Sequence, residues 1–115
     1  MEITRGDYKS FKFKRTRKKD GSVIADRPSE MYITFKTDAY EEEALFQKRL
    51  GDNTVKYSEE DNYYRFELLP EDTNDLDYGT YFYDVEVIAS GNKPRTILKG
   101  VLEVTEEYTH KANEV

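Results

Sequence analysis

Apolar side chains recur at every second position in several short stretches of this sequence. Met31, Ile33 and Phe35 alternate with polar or more polar neighbours. The same spacing is found in four other stretches, residues 11–13, 64–68, 81–87 and 98–104. Successive side chains of a β-strand point to opposite faces of a sheet, so each stretch predicts a strand that buries one face. In the last of them, Leu98, Leu102 and Val104 share one parity.

Segments rich in Gly, Pro, Asn and Asp separate these stretches. They lie at residues 19–22, 27–30, 50–53, 59–62, 69–79 and 90–94. Short strands joined by turns at such intervals are typical of an antiparallel sandwich. We therefore predict an all-β protein, an immunoglobulin-like β-sandwich of about seven strands formed by residues 1–105. Residues 106–115 are polar and aperiodic, which predicts a C-terminal tail that is mobile or is ordered by a partner.

Residues 38–51 fit two different predictions. An initial Asp, early acidic residues, late basic residues and a closing Gly51 are typical of a helix. A helical turn at residues 40–43 followed by a strand over residues 44–49 fits as well. We favour the turn and strand, because a sandwich needs a paired strand at this position.

The stretch DYGTYFYD, residues 77–84, places Asp77, Gly79 and Tyr81 two positions apart. In immunoglobulin-like sandwiches, a tyrosine near the start of the sixth strand hydrogen-bonds back to the chain at the preceding corner. We predict that Tyr81 makes this bond and that Gly79 lets the chain pass close beneath its ring. Tyr83 is then expected to point inward. The alternative is that these rings only fill a small core.

Charge is distributed unevenly along the chain. The net charge is −6, but residues 9–19 hold seven Lys or Arg and no acid, which leaves 11 basic residues against 24 acidic ones elsewhere. This split favours head-to-tail contacts between copies, which form a ring if the rotation closes. The predicted assembly surface comprises Arg15, Arg17, Lys18, Lys19, Glu59, Glu60, Asp61, Asp72 and Asp75. The alternative is a solvated strand face and hairpin tip.

Composition argues against most catalytic and cofactor sites. The chain has no Cys, which excludes disulfides, thiolate metal sites and Cys nucleophiles. Its single histidine, His110, lies in the polar tail, where a catalytic triad or a histidine-rich zinc site is implausible. No glycine-rich phosphate loop is present. We predict a protein that is not an enzyme and that holds no cofactor or metal.

Neither a membrane nor a nucleic acid is an expected partner. No apolar run is long enough to span a bilayer, and the N-terminus lacks the apolar core of a signal peptide. Phe11 and Phe13 are interleaved with basic residues, as in grooves that stack single-stranded bases. In a strand, however, both rings share the face opposite Lys12 and Lys14, so they are expected in the core.

Two further patterns are weak. Asp72, Asn74 and Asp77 supply oxygen atoms for calcium, but their spacing departs from the EF-hand loop, and Asp72 is expected to hydrogen-bond the turn instead. Residues 5–7 spell RGD, an integrin-binding tripeptide, without a surrounding adhesive loop.

Several segments together resemble one family of bacteriophage proteins. They are ITRGD (3–7), FKF (11–13), FELLPEDTNDLDYGTYFYDVEV (66–87) and TILKGVLEVTEEYT (96–109). These segments are similar to the upper baseplate protein N-terminal family of phage tails and its small single-domain relatives. The resemblance covers roughly residues 3–105 and is weak in the middle third.

The resemblance implies a virion structural protein with an immunoglobulin-like fold, assembled in the host bacterial cytoplasm. Its implied partners are other virion proteins of the tail, baseplate or neck, and copies of itself in the assembled particle. Because the sequence stops after one module, we expect a small connector, decoration or adaptor subunit rather than a baseplate arm.

Two other functions fit the residues. A stand-alone module that binds carbohydrate or a host surface would present exposed aromatic rings, for which the candidates are Tyr32, Tyr63, Phe82 and Tyr108. A small acidic inhibitor of a basic enzyme is the third possibility.

Overall fold

The structure is a computed structural model, which describes residues 1–24, 27–89 and 91–107. These residues form eight strands and one short helix. In chain order they are β1 Glu2–Thr4, β2 Lys9–Phe13, β3 Glu30–Lys36, β4 Phe46–Arg49, β5 Val55–Ser58, β6 Tyr63–Leu68, α1 Pro70–Thr73, β7 Gly79–Ala89 and β8 Lys93–Thr105. The strands make a five-stranded sheet in the order β1-β8-β7-β3-β4 and a three-stranded sheet in the order β2-β6-β5.

This topology confirms the predicted immunoglobulin-like sandwich. Neighbouring strands are antiparallel except for the β1–β8 pair, which is parallel. The order β8-β7-β3-β4 matches strands G, F, C and C′ of a variable-type immunoglobulin domain, and β2-β6-β5 matches B, E and D. The described residues contain eight strands where about seven were expected, because very short strands such as β1 carry no readable alternation.

The alternating apolar residues fill the space between the sheets. The buried apolar side chains are Ile3, Met31, Ile33, Phe35, Val55, Tyr64, Phe66, Leu68, Tyr81, Val85, Val87, Leu102 and Val104. Within the smaller sheet, the ring of Phe11 stacks on Phe66 and that of Phe13 stacks on Tyr64, with centroids 5.3 and 5.5 Å apart. The phenylalanines of the basic segment therefore belong to the core side of their strand, as predicted.

Residues 38–51 form turns and a strand, and the helical alternative is wrong. The strand begins at Phe46, two positions later than predicted, and Phe46 lies opposite Phe35 of β3. The two rings stack with centroids 4.5 Å apart. Sheet pairing and burial of the Phe46 ring outweigh the helical propensity of the segment, which is worth only tenths of a kcal/mol per residue.

The predicted tyrosine corner is present. The buried Tyr81 hydroxyl donates a hydrogen bond of 2.7 Å to the carbonyl oxygen of Asp77. The role predicted for Gly79 is wrong, because a Cβ added there would meet no atom within 4 Å. Gly79 is needed instead for its φ of +140°, a conformation that side chains rarely adopt.

A close approach to a ring does occur at Gly100 of β8. This residue lies opposite Tyr83, and a Cβ added to it would come within 2.6 Å of the tyrosine side chain. Tyr83 in turn packs on Phe35, with ring centroids 5.7 Å apart. Gly100 thus leaves the space that the inward-pointing Tyr83 occupies.

Leu98 is not part of the core, although it shares the parity of Leu102. It lies opposite the buried Val85, yet it is 46% exposed. The register between β7 and β8 shifts beside Val85, which leaves Ile97 as an extra residue in β8. Such a bulge changes the direction of the side chains locally, and here Ile97 rather than Leu98 packs against the core.

Candidate assembly surfaces

The loops that carry most of the charge gather at two opposite ends of the sandwich. At one end, which we call the basic end, strands β2 and β7 end and strands β3 and β8 begin. Glu30 of β3 lies opposite Ile88 of β7 at this end. We define the basic end as residues 14–24 with Arg27, Lys93 and Arg95. Strands β3 and β6 end, and β7 begins, at the other end, where Lys36 lies opposite Phe82. We define this acidic end as residues 37–45 and 69–78.

A small hairpin projects the basic side chains. Thr16 bridges Val23, and Gly21, with a φ of +72°, donates a backbone hydrogen bond of 2.8 Å to Arg17. The Arg17 guanidinium closes the hairpin from within, donating to the Ser22 hydroxyl and the Val23 carbonyl at 3.3 Å each. Arg17 was predicted to contact a neighbouring copy, but its guanidinium is instead hydrogen-bonded within its own hairpin.

The tip of this hairpin consists of Lys18 and Lys19, both exposed. Neither makes a hydrogen bond or ion pair with any residue that the structure describes. Arg15, by contrast, is half-buried, and its guanidinium lies near the hydroxyl of the core residue Tyr64. Burial raises the pKa of Tyr64, and the nearby Arg15 guanidinium opposes that rise. Of the four predicted basic contacts, Lys18 and Lys19 remain available to a partner.

The acidic turn at residues 59–61 does not lie opposite the basic hairpin. Ser58 pairs with Tyr63 while Phe13 pairs with Tyr64, so the turn and the hairpin share one end of the smaller sheet. The head-to-tail contact predicted for Glu59, Glu60 and Asp61 therefore has the wrong geometry. The end at which this turn lies depends on how β5 and β6 pair, and the charges of the sequence do not indicate that pairing.

Two of these acids are instead used within the chain. Glu59 pairs with Arg27 at 3.2 Å, with both side chains exposed. Asp61 accepts a bond of 2.7 Å from Arg65, and this hydrogen bond outweighs the opposing effect of burial and lowers the pKa of Asp61 to about 2. Glu60 is exposed, and the described residues offer it no partner.

Asp72 was predicted as an exposed contact, but it is a structural residue. Its carboxylate receives Lys48 Nζ at 2.7 Å, and the two side chains are only 12% and 9% exposed. The same oxygen accepts a hydrogen bond of 2.8 Å from the backbone N–H of Leu69, which confirms that Asp72 ties down the turn. An aspartate engaged in this way is not available to a calcium ion.

The acidic end nevertheless has a large exposed acidic surface. Asp75 is exposed, as are Glu71 and Asp77 on the same corner. The β3–β4 loop is a second contributor, which the sequence did not lead us to predict. Its acids are Asp38, Glu41, Glu42 and Glu43, and all are exposed. The cluster was visible in the sequence, but only the sheet pairing places it beside the corner at residues 69–78.

The RGD segment forms the β1–β2 turn at the acidic end. Gly6, with a φ of +82°, donates its N–H to the buried Thr73 hydroxyl at 2.8 Å. The Arg5 guanidinium lies 4.3 Å from the ring centre of Tyr78 and donates to the carbonyl of Leu76 at 3.4 Å. This turn is anchored to the corner, with its arginine turned inward.

The candidate aromatic rings do not form one platform. Tyr32 and Phe82 lie on the outer face of the larger sheet, while Tyr63 lies on the outer face of the smaller one. Lys12 and Lys14 both cover the Tyr63 ring at 4.6 Å, and Arg49 lies 5.2 Å from the Tyr32 ring. Tyr108 and His110 lie outside the described residues.

Comparisons with known proteins assign no family to this chain. No family model matches the sequence, and no curated protein matches it. Among solved structures, one of an amphioxus IgVJ-C2 molecule aligns over 90% of this chain with 15% identity and a TM-score of 0.32. The aligned part is 54% of that chain, so this protein spans about half the length of its structural neighbour.

Among the described residues there is neither a metal-binding cluster nor a membrane-spanning helix. No group of three or more His, Cys, Asp or Glu side chains there is placed to hold a metal ion. No helix in that part of the chain is long and apolar enough to cross a membrane.

Proposed function

We propose that this protein is a non-enzymatic structural subunit that assembles through its two oppositely charged ends. The observation that carries the proposal is the separation of charge along the sandwich. Residues 14–24 hold five basic side chains and one acid, and of the acids at residues 59–61, which share this end, Glu59 and Asp61 are paired with Arg27 and Arg65. Residues 37–45 and 69–78 each hold four acids and no base, and Asp72 alone among them forms an ion pair with a described residue, Lys48. Placed at opposite ends, these surfaces are complementary only between different molecules.

The free side chains at each end support this contact. The tip residues Lys18 and Lys19 project from a hairpin that its own hydrogen bonds hold in shape. The loop acids of the next copy, Glu41, Glu42 and Glu43, are exposed and form no ion pair with any residue that the structure describes. A heterologous contact of this kind builds a ring or a filament, depending on the rotation between copies.

The resemblance to upper baseplate N-terminal modules supports a place for this subunit in a phage particle. In that setting, the subunit acts as a small component or adaptor of the tail, baseplate or neck. Other virion proteins, in addition to further copies of the chain, are then its partners. Function resides in contacts between proteins, and no chemical step is assigned to any residue.

The proposal is tested by solution mass over a wide range of protein concentration, at low and high salt. We expect oligomers that dissociate as salt rises, because exposed charges are screened beyond about 8 Å at physiological ionic strength. Lys18→Glu with Lys19→Glu should weaken association by about tenfold, the size expected when two exposed charge pairs become repulsive.

A charge exchange makes the test specific. Adding Glu42→Lys and Glu43→Lys to the Lys18→Glu/Lys19→Glu protein should restore association, because the two ends are again complementary. Lys12→Glu with Lys56→Glu, in the middle of the smaller sheet, is the matched control and should leave the mass unchanged. Monomers at every concentration in low salt, or equal losses in the control, would overturn end-to-end assembly.

A further inference from the structure

Strand β8 has a long free edge beside β1. The two strands pair over residues 103–105 alone, and no other described strand approaches residues 93–101 from that side. Leu98 and Val101 are 46% and 41% exposed along this edge, and Phe82, directly opposite Val101 in β7, is 37% exposed. The edge therefore combines apolar side chains with unpaired backbone.

The direction of the backbone groups along β8 follows from the bonds at both of its ends. Glu103 donates its N–H outward to Met1 at 2.9 Å. Antiparallel ladders alternate, so Val101 and Lys99, two and four residues earlier, also turn their N–H and C=O groups outward. At the other end of β8, the carbonyl of Ile88 in β7 accepts a hydrogen bond from Ser29 and therefore points away from β8. Pro94 of β8 pairs with Ile88, so the carbonyl of Pro94 points outward as well.

The same edge is protected against a second copy of itself. Lys93, Arg95 and Lys99 lie along it with no acid between residues 91 and 102 of β8, and the nearest acid across the sheet from Lys99 is Asp84 of β7. Charged side chains, an outward-facing proline and a bulge are the features by which proteins prevent edge-to-edge pairing. Two such edges would bring six positive charges together. An acidic strand, in contrast, would be attracted by the charges that repel a copy.

We propose that residues 96–101 of β8 are a docking site for an extended, acidic segment of another protein. The segment adds a strand to the five-stranded sheet. Its backbone bonds to the outward groups of Lys99 and Val101, an acidic side chain lies beside Lys99, and an apolar one covers Val101 and Phe82. Residues 96–101 themselves lie outside the two charged ends, although Lys93 and Arg95 at the start of the same edge belong to the basic end.

The test uses synthetic peptides about nine residues long, within the normal range of strand lengths. One alternates Glu with Val and the other alternates Lys with Val, and both are capped. Fluorescence anisotropy gives affinity, and amide hydrogen exchange of the full chain locates the site. We expect the Glu peptide alone to bind and to slow exchange at Lys99 and Val101.

Two variants separate backbone pairing from charge. Val101→Pro removes an outward N–H without removing a bond to β7, and should abolish binding, whereas Val101→Ala should weaken it only a few-fold. Lys99→Glu should weaken binding of the Glu peptide by about fivefold. Lys18→Glu makes the same charge change at the basic end and should have no effect on binding of the peptide.

The outcomes are distinguishable from those of the assembly test. Equal affinity for both peptides, or slowed exchange elsewhere than on β8, would overturn the docking site. Slowed exchange at Lys99 and Val101 that increases with protein concentration and needs no peptide would show that the edge pairs with itself, which also overturns it. Circular dichroism confirms that each variant is folded before binding is measured.

Discussion

The Lys48–Asp72 ion pair offers the sharpest test of the packing described here. It joins β4 to the turn that precedes β7, and both side chains are about nine-tenths buried. Breaking a buried pair by removing one partner typically costs 3–5 kcal/mol, because a buried charge loses its partner. In Lys48→Met, Asp72 keeps the hydrogen bond from the Leu69 N–H, so we expect a loss at the lower end, about 3 kcal/mol.

The neutral double variant provides the comparison. In Lys48→Met with Asp72→Asn, no charge is buried and the asparagine oxygen still accepts from the Leu69 N–H. Replacing a whole buried pair by uncharged groups is often close to neutral, so we expect stability within about 1 kcal/mol of the natural protein. Asp72→Asn alone should be costly, since it leaves the Lys48 ammonium buried without its partner.

Urea unfolding at neutral pH, followed by circular dichroism, measures all four proteins of this cycle. The slope against urea should not change, so that midpoints report stability directly. A loss of about 3 kcal/mol would also lower the melting temperature by about 12 °C for a domain of this size. If Lys48→Met costs less than about 1 kcal/mol and the cycle shows no coupling, the pair is solvated and this reasoning is refuted.

Two further predictions concern other parts of the fold. Tyr81→Phe should lower the free energy of unfolding by about 1 kcal/mol, the net value of one hydrogen bond, and an unchanged urea midpoint would contradict the tyrosine corner. Burial of the Glu30 carboxylate opposes ionisation, but hydrogen bonds from the N–H groups of Met31 and Gly51 and from Arg49 outweigh it and lower the pKa of Glu30 below its usual 4.5. Ionised Glu30 therefore stabilises the fold above that pH and stops doing so as the pH falls through its folded pKa. Glu30→Gln should reduce the acid-induced loss of stability in that range, whereas Glu60→Gln, at an exposed position, should not.

Alternation along the sequence was sufficient to predict the five longest strands, β2, β3, β6, β7 and β8, and the class of fold. Met31, Ile33 and Phe35 are buried as their spacing requires, because the side-chain period of a strand is a local property of the backbone. The tyrosine corner was equally readable, since Asp77 and Tyr81 are near neighbours in the chain. Assembly, partners and a place in a phage particle were also predicted from the sequence, and they stay proposals.

Only the tertiary structure decides whether a charged side chain is paired within the chain or exposed to a partner. Asp72 and Asp75 are alike in sequence, yet one is buried against Lys48 while the other is exposed. The acids at residues 59–61 turned out to share an end with the basic hairpin, and the free edge of β8 was not foreseen at all. Sequence spacing sets which face of a strand a side chain occupies. Which strands pair, in which direction, and what covers them depends on contacts between residues far apart in the chain, and those contacts determine which charges stay free to bind.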